Sequence, residues 1–198
     1  MMRWKVCGMQ EPKNIQEVAA LGPDFMGFIW ASKSPRYVGA DFVIPALPEK
    51  TKAVGVFVNE SIDTIIALSK KAGFSYVQLH GEEGQKEIDT LQAAGLYVIK
   101  AISVGEAADL DLKDTPDFYL FDTKKGAQVG GTGEKFDWSL LAHYTLDIPY
   151  FLAGGLQVED VQKVKNFPGL YALDFNSKLE VSPGLKDVEK VKELVKQQ

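Results

Sequence analysis

The sequence holds one cysteine, Cys7, so no internal disulfide can brace the fold, and Cys7 contributes through packing or through its thiol. Only two of the 22 basic residues are arginines, Arg3 and Arg36, and the only histidines are His80 and His143. No apolar run approaches the roughly 20 residues that cross a bilayer, and the first eight residues lack the apolar stretch of a signal peptide. A cytoplasmic location and no membrane partner are expected. Lysines are not massed in one segment and the formal net charge is −5, which argues against a nucleic-acid partner. Small molecules are left as the expected partners. With 45% hydrophobic and 25% charged residues, the 198-residue chain reads as one globular domain over 1–198, long enough for one core and too short for two ordinary ones.

Short apolar or alternating runs recur at 3–7, 25–30, 53–58, 76–80, 97–102, 118–122, 150–153 and 170–174. Segments of helical period follow most of them, at 14–21, 61–71, 85–94, 158–166 and 187–196. This is a repeated strand-helix pattern, and eight such units predict an α/β fold, a closed (β/α)8 TIM barrel near the lower size limit of roughly 200 residues. The stretch 103–116, with Gly105, Asp109, Asp111 and Asp114, has no helical stripe, so one outer helix is expected to be degenerate. A doubly wound open sheet is the competing architecture. It usually carries a Gly-rich turn after its first strand, where this chain has only Cys7-Gly8-Met9.

In a barrel, alternate residues of each strand point inward and active sites form at the C-terminal strand ends. Applied here, the rule places Val77, Leu79, Tyr119 and Phe121 outward and Lys5, Gln78, Leu120 and Ala172 inward. One rim then collects Cys7, Asn59, His80, Lys100, Asp122 and Asp174. His80 fits either a hydrogen-bonded structural histidine or a group in contact with substrate. Lys5 and Lys100 suit partners for inward acids, because a buried charge needs one. Two glycine segments suit an anion: Gly130-Gly131-Thr132-Gly133 after strand six, and Gly154-Gly155 after strand seven, before a helix. Asn176 and Ser177 after strand eight add donors where barrels often bind phosphate.

Along essentially its whole length the chain resembles the phosphoribosylanthranilate isomerase family. The matching segments, in order, are Lys5-Val6-Cys7-Gly8, Lys33-Ser34-Pro35-Arg36-Tyr37, Val54-Gly55-Val56-Phe57-Val58-Asn59, Val77-Gln78-Leu79-His80-Gly81, Phe121-Asp122-Thr123-Lys124, Gly130-Gly131-Thr132-Gly133 followed by Phe136-Asp137-Trp138-Ser139, Ala153-Gly154-Gly155-Leu156, and Asp174 through Pro183-Gly184 to Lys186-Asp187. The resemblance implies an Amadori rearrangement of N-(5-phosphoribosyl)anthranilate to the carboxyphenylamino-deoxyribulose phosphate, in tryptophan biosynthesis, with no metal or cofactor. It implies Cys7 as general base and Asp122 as general acid, and Arg36 against the anthranilate. His80, Gly131 and Asp174 are the further substrate-binding candidates, and Gly154, Gly155, Asn176 and Ser177 the phosphate-binding ones. The chain departs from the family at Met9-Gln10, where many relatives have Ile-Thr, and at Asn176-Ser177-Lys178, where many have Ser-Ser-Gly. Both catalytic groups need pKa values shifted toward neutrality, the thiol by Lys5 and the acid by partial burial. A monomer or a homodimer is compatible with this reading.

Other readings predict different features. A metal-dependent sugar-phosphate epimerase needs a His and carboxylate cluster, and His80 is the only inward histidine. A silent scaffold barrel has no use for both Cys7 and Asp122, and a thiol redox protein needs a second cysteine.

Overall fold

The computed structural model describes residues 2–123 and 135–197. Eight parallel strands pair in chain order: β1 (Arg3–Val6), β2 (Phe25–Ile29), β3 (Lys52–Phe57), β4 (Tyr76–Leu79), β5 (Tyr97–Val104), β6 (Phe118–Thr123), β7 (Tyr150–Leu152) and β8 (Leu170–Phe175). β8 returns to β1 with Asp174 opposite Lys5, which closes the barrel and leaves it without a free edge.

The helices around it are α1 (Pro12–Ala19), α2 (Ile62–Ala72), α3 (Gln85–Ala93), α4 (Val161–Val164) and α5 (Val188–Lys196). Local chemistry sets their ends. The Ser61 hydroxyl accepts from the Thr64 amide at 3.2 Å at the start of α2, and Asp187 accepts from the Glu189 amide at 3.0 Å at the start of α5. The expected single degenerate helix understates how thin this outer layer is. No helix forms between β2 and β3, where Pro35, Pro45 and Pro48 remove backbone donors and break helical runs. Single 3-10 turns, Ala107–Leu110 and Trp138–His143, are the helical pieces among the described residues after β5 and β6. The helix expected at 158–166 is a 3-10 turn, Val158–Asp160, running into the four residues of α4. Apolar side chains take over the covering role, as Phe42 does against Phe28 and Trp30 at ring distances of 5.8 and 6.3 Å.

The interior follows the alternation. Val77, Leu79, Tyr119 and Phe121 pack against the outer layer, whereas Val54, Val56, Ile99, Leu120 and Ala172 fill the barrel. At its N-terminal end Phe25, Tyr76, Phe118, Phe151 and Tyr171 form a plug of rings with centroids 4.6–6.4 Å apart. Above the plug lies a polar layer of Lys5, Gln78 and Asp174, all buried.

An unanticipated hairpin follows β8: β9 (Glu180–Ser182) pairs antiparallel with β10 (Leu185–Lys186). It is stitched to α1 by buried Asn14, whose side chain donates to the Lys186 carbonyl at 2.9 Å and accepts from the Lys186 amide at 2.8 Å. The Glu180 carboxylate accepts from Arg36 Nε and Nη2 at 2.8 and 2.5 Å and from Lys186 Nζ at 2.6 Å. Burial alone would raise the Glu180 pKa, but Arg36 and Lys186 outweigh it and hold the carboxyl at about 2, below its ordinary 4.5.

A carboxyl depressed on folding adds stability above its unfolded pKa and loses it as pH falls through the folded one. Glu180 should therefore contribute about 3 kcal/mol at neutral pH that vanishes between pH 4.5 and 2. Urea unfolding at stepped pH should show Glu180→Gln less stable than the parent at pH 7, with the gap closing toward pH 2. A gap that stays constant with pH would contradict this account of the carboxylate.

Candidate active site

The C-terminal mouth is assembled from strand ends. Cys7 directly follows β1, buried, with its amide donating to the Phe175 carbonyl at 2.8 Å. Its thiol has room because β2 carries Gly27: a Cβ there would stand 2.6 Å from Cys7 Sγ. On β6, Asp122 keeps Oδ1 on the Thr123 amide at 2.7 Å and leaves Oδ2 3.7 Å from His80 Nε2. Behind the Asp122 side chain the chain turns at Gly154 with φ 87, and a Cβ there would lie 2.3 Å from Thr123 Oγ1 and 3.2 Å from Asp122 Oδ1.

Cys7, His80, Asp122 and Asp174 line one pocket of about 110 Å³ with Gly155, Asn176, Ser177 and Lys178. A second pocket, lined by Arg36 and Ser34, shares His80 and Asp122 with the first. The structure thus brings together Cys7, Asp122, His80 and Asp174, with Gly155, Asn176 and Ser177 at one side and Arg36 at the other. Gly154 shapes the turn beside Asp122, next to Gly155, which also has positive φ at 67°. Gly131 lies outside the described residues.

Arg36 reaches the mouth with part of its donor set engaged, since Nε and one Nη2 proton go to Glu180. A guanidinium has five donors, and among the described residues no partner takes the remaining N–H groups, which can meet another anion. Asn59 and Lys100, collected on the same rim, turn out to brace the loop after β4. Lys100 Nζ donates to the Gly81 carbonyl at 2.7 Å and lies 3.5 Å from Glu83, whose carboxylate accepts from the amides of Asn59 at 2.6 Å and Gly81 at 2.9 Å. Asn59 Oδ1 accepts from the Glu82 amide at 2.7 Å.

Below the mouth, Lys5 Nζ donates to Asp174 Oδ2 at 2.7 Å and to Gln78 Oε1 at 2.9 Å, and Gln78 Nε2 lies 2.9 Å from His80 Nδ1. Burial works against the Lys5 charge, but the Asp174 carboxylate, with help from Cys7, raises its pKa above the ordinary lysine value. Asp174 Oδ1 is buried without a hydrogen-bond partner among the described residues. The expected downward shift of the Cys7 thiol does not occur. Burial raises it, with Asp174 adding to the rise, and the nearby Lys5 and Lys186 cations only partly offset that. Burial likewise lowers the His80 pKa and favours the neutral ring, against the raising influence of Asp122.

Glu180 and Glu83 escaped the sequence reading, and Gln78 was placed inward without a role. Ser182-Pro183-Gly184 is the turn signal that would have revealed the hairpin holding Glu180 near Lys186. Nothing local marks Glu83, whose partners come from three separate loops and strands.

The family model for N-(5'-phosphoribosyl)anthranilate (PRA) isomerase matches residues 4–197. The chain is 38% identical over 206 residues to the N-(5'-phosphoribosyl)anthranilate isomerase of Parabacteroides distasonis, covering 98% of this chain and 91% of that protein. Phosphoribosyl anthranilate isomerase from Thermotoga maritima superposes with a TM-score of 0.85 at 33% identity, over 100% of this chain and 98% of that one. A phosphoribosyl anthranilate isomerase in complex with reduced 1-(o-carboxyphenylamino)-1-deoxyribulose 5-phosphate superposes with a TM-score of 0.81 at 29% identity, over 100% of this chain and 98% of that chain. A match that runs from the first barrel strand into the last helix, carried by both sequence and structure, means that the chain belongs to the N-(5'-phosphoribosyl)anthranilate isomerase family.

Proposed function

We propose that this barrel catalyses the isomerisation of N-(5-phosphoribosyl)anthranilate to 1-(2-carboxyphenylamino)-1-deoxyribulose 5-phosphate, with Asp122 as general acid and Cys7 as general base. The observation that carries the assignment is the single pocket in which a thiol and a carboxyl, from β1 and β6, face the glycine-lined loops after β7 and β8.

The phosphate sits against Gly155, Asn176 and Ser177, with Gly154 shaping the turn. Lys178, at the rim of the same pocket, supplies a cation where many relatives have glycine. An anchored phosphate positions the sugar for chemistry without itself reacting. The anthranilate carboxylate lies toward the free N–H groups of Arg36. Asp122 gives its proton to the ribose ring oxygen, the C1–O bond breaks, and the amine nitrogen donates its lone pair to form a Schiff base. The Cys7 thiolate then removes the C2 proton, the C–H electrons form a C1=C2 bond while the C=N pair returns to nitrogen, and the resulting enamine tautomerises to the ketone as C1 gains a proton and the C2 hydroxyl loses one. Asp174 Oδ1, buried and unpartnered among the described residues, is placed to accept from a sugar hydroxyl. Membership of this family supports a role in tryptophan biosynthesis. No helix among the described residues is long and apolar enough to cross a membrane, in keeping with a cytoplasmic enzyme. The chain serves as one catalytic barrel, as a monomer or as a homodimer like the dimeric Thermotoga maritima enzyme.

Loss of substrate fluorescence on adding the purified chain to phosphoribosylanthranilate is the primary assay. Positioned proton transfer is worth about 10² to 10⁴ in rate, so Cys7→Ser and Asp122→Asn should each lower kcat by about that factor with the fold intact by circular dichroism. Near-normal turnover by either variant would remove that residue from the mechanism. Turnover needs the thiolate of Cys7 and the protonated carboxyl of Asp122 in the same molecule, so kcat/KM should follow a bell-shaped pH profile that falls at both extremes. A profile that rises with pH without a maximum would remove the general acid from the mechanism.

Arg36→Lys keeps a cation but loses the fork that grips a carboxylate, so KM should rise about tenfold or more. An unchanged KM would place the anthranilate elsewhere.

A further inference from the structure

Gln78 lies beneath the mouth, 2% exposed, and takes no part in the proton transfers above. Its surroundings leave its amide one orientation. Lys5 Nζ, 2.9 Å away, carries only donors, so the atom facing it must be the amide oxygen. Lys5 is itself fully buried and tied to Asp174 at 2.7 Å. The NH2 end of Gln78 therefore faces His80 Nδ1 at 2.9 Å. An NH2 group can only donate here, so Nδ1 must accept, and an accepting ring nitrogen carries no proton. In the neutral ring the proton is then on Nε2, the nitrogen 3.7 Å from Asp122 Oδ2.

We propose that Gln78, oriented by Lys5, is a positioning residue that locks His80 in the Nε2–H tautomer and so presents the ring's only N–H donor toward Asp122 across the mouth. The same relay resists formation of the imidazolium. A proton on Nδ1 would point at the Gln78 NH2, and rotating the amide to accept it would turn that NH2 onto the Lys5 ammonium. Among the described residues, burial opposes the charged ring most strongly and Lys5 adds to it, against Asp122, Asp174 and Glu83, which favour the charge. The catalytic meaning rests on the isomerase reading, in which Asp122 becomes a carboxylate after giving up its proton. A fixed neutral donor near Oδ2 stabilises that carboxylate without adding a charge that would compete with the substrate for it. The tautomer itself depends only on the Lys5, Gln78 and His80 geometry.

Long-range proton-nitrogen correlation spectra of the ¹⁵N-labelled full chain test this without any turnover. The chain has only two histidines, and His143→Asn assigns both signals. His143 is exposed on the 3-10 turn Trp138–His143, away from the relay. His80 should show a protonated Nε2 and an unprotonated Nδ1, and should become charged only below the ordinary histidine range. Gln78→Glu replaces the donor NH2 with a carboxylate oxygen, and should move the proton to Nδ1 or give the imidazolium near neutral pH. A parent His80 that is protonated on Nδ1, or that is charged at neutral pH, overturns the proposal even if Gln78→Glu does not fold. A folded Gln78→Glu with unchanged His80 shifts overturns it as well. Failure of the isomerase reading would appear as absent turnover in the parent and would leave these spectra unchanged.

Discussion

A fully buried ammonium in the middle of the barrel is the constraint from which much of the site follows. Taking Lys5 out of water costs on the order of several kcal/mol unless partners compensate, and Asp174 on β8 and Gln78 on β4 supply them. What the polar trio adds beyond filling the space is orientation. It fixes the closing register of β1 on β8, with Lys5 opposite Asp174. It also fixes the direction of one amide, and through that amide the ring of His80. Cys7, two residues beyond Lys5 on the same face, stands directly above a layer that cannot rearrange cheaply.

The two ends of the barrel divide stability from chemistry. The aromatic plug of Phe25, Tyr76, Phe118, Phe151 and Tyr171 seals the N-terminal end with large apolar area. At the other end the strands release polar side chains into the mouth. Most of the reactive groups leave rigid strand ends, where neighbouring ladders hold the backbone. Arg36 is different, because it stands on a stretch with no helix and depends on Glu180 for its place. Glu180 in turn is held by Lys186, and the hairpin carrying both is tied to α1 through Asn14. The guanidinium is thus positioned by a hydrogen-bonded chain reaching from β9 and β10 to the first helix.

The thiol illustrates competition between two electrostatic effects of different range. Lys5 and Lys186 favour the thiolate, yet burial that removes water from every side outweighs them. Cation proximity is legible in a strand's alternation, since Lys5 and Cys7 share a face. Loss of solvation is a property of the whole assembled mouth, so the sign of the shift could not be read from two residues.

Much was determined locally. Strand period and glycine punctuation placed all eight strands, and the alternation rule alone put Lys5, Gln78, Leu120, Asp122 and Asp174 on the inner face. That rule works because a strand's geometry repeats every two residues whatever surrounds it. The ends of α2 and α5 were equally legible, because Ser61 and Asp187 act on amides two or three positions away. The helix-less segment between β2 and β3, the shortness of α4, the hairpin of β9 and β10, and the bracing by Glu83 and Glu180 were decided only in three dimensions. Phe42 can replace a helix because burial of apolar area does not require a particular backbone. Arg36 and Glu180 meet although 144 positions separate them. Local propensity carries no information about contacts of that range. They exist because barrel closure brings β8 and its following hairpin beside the loop after β2.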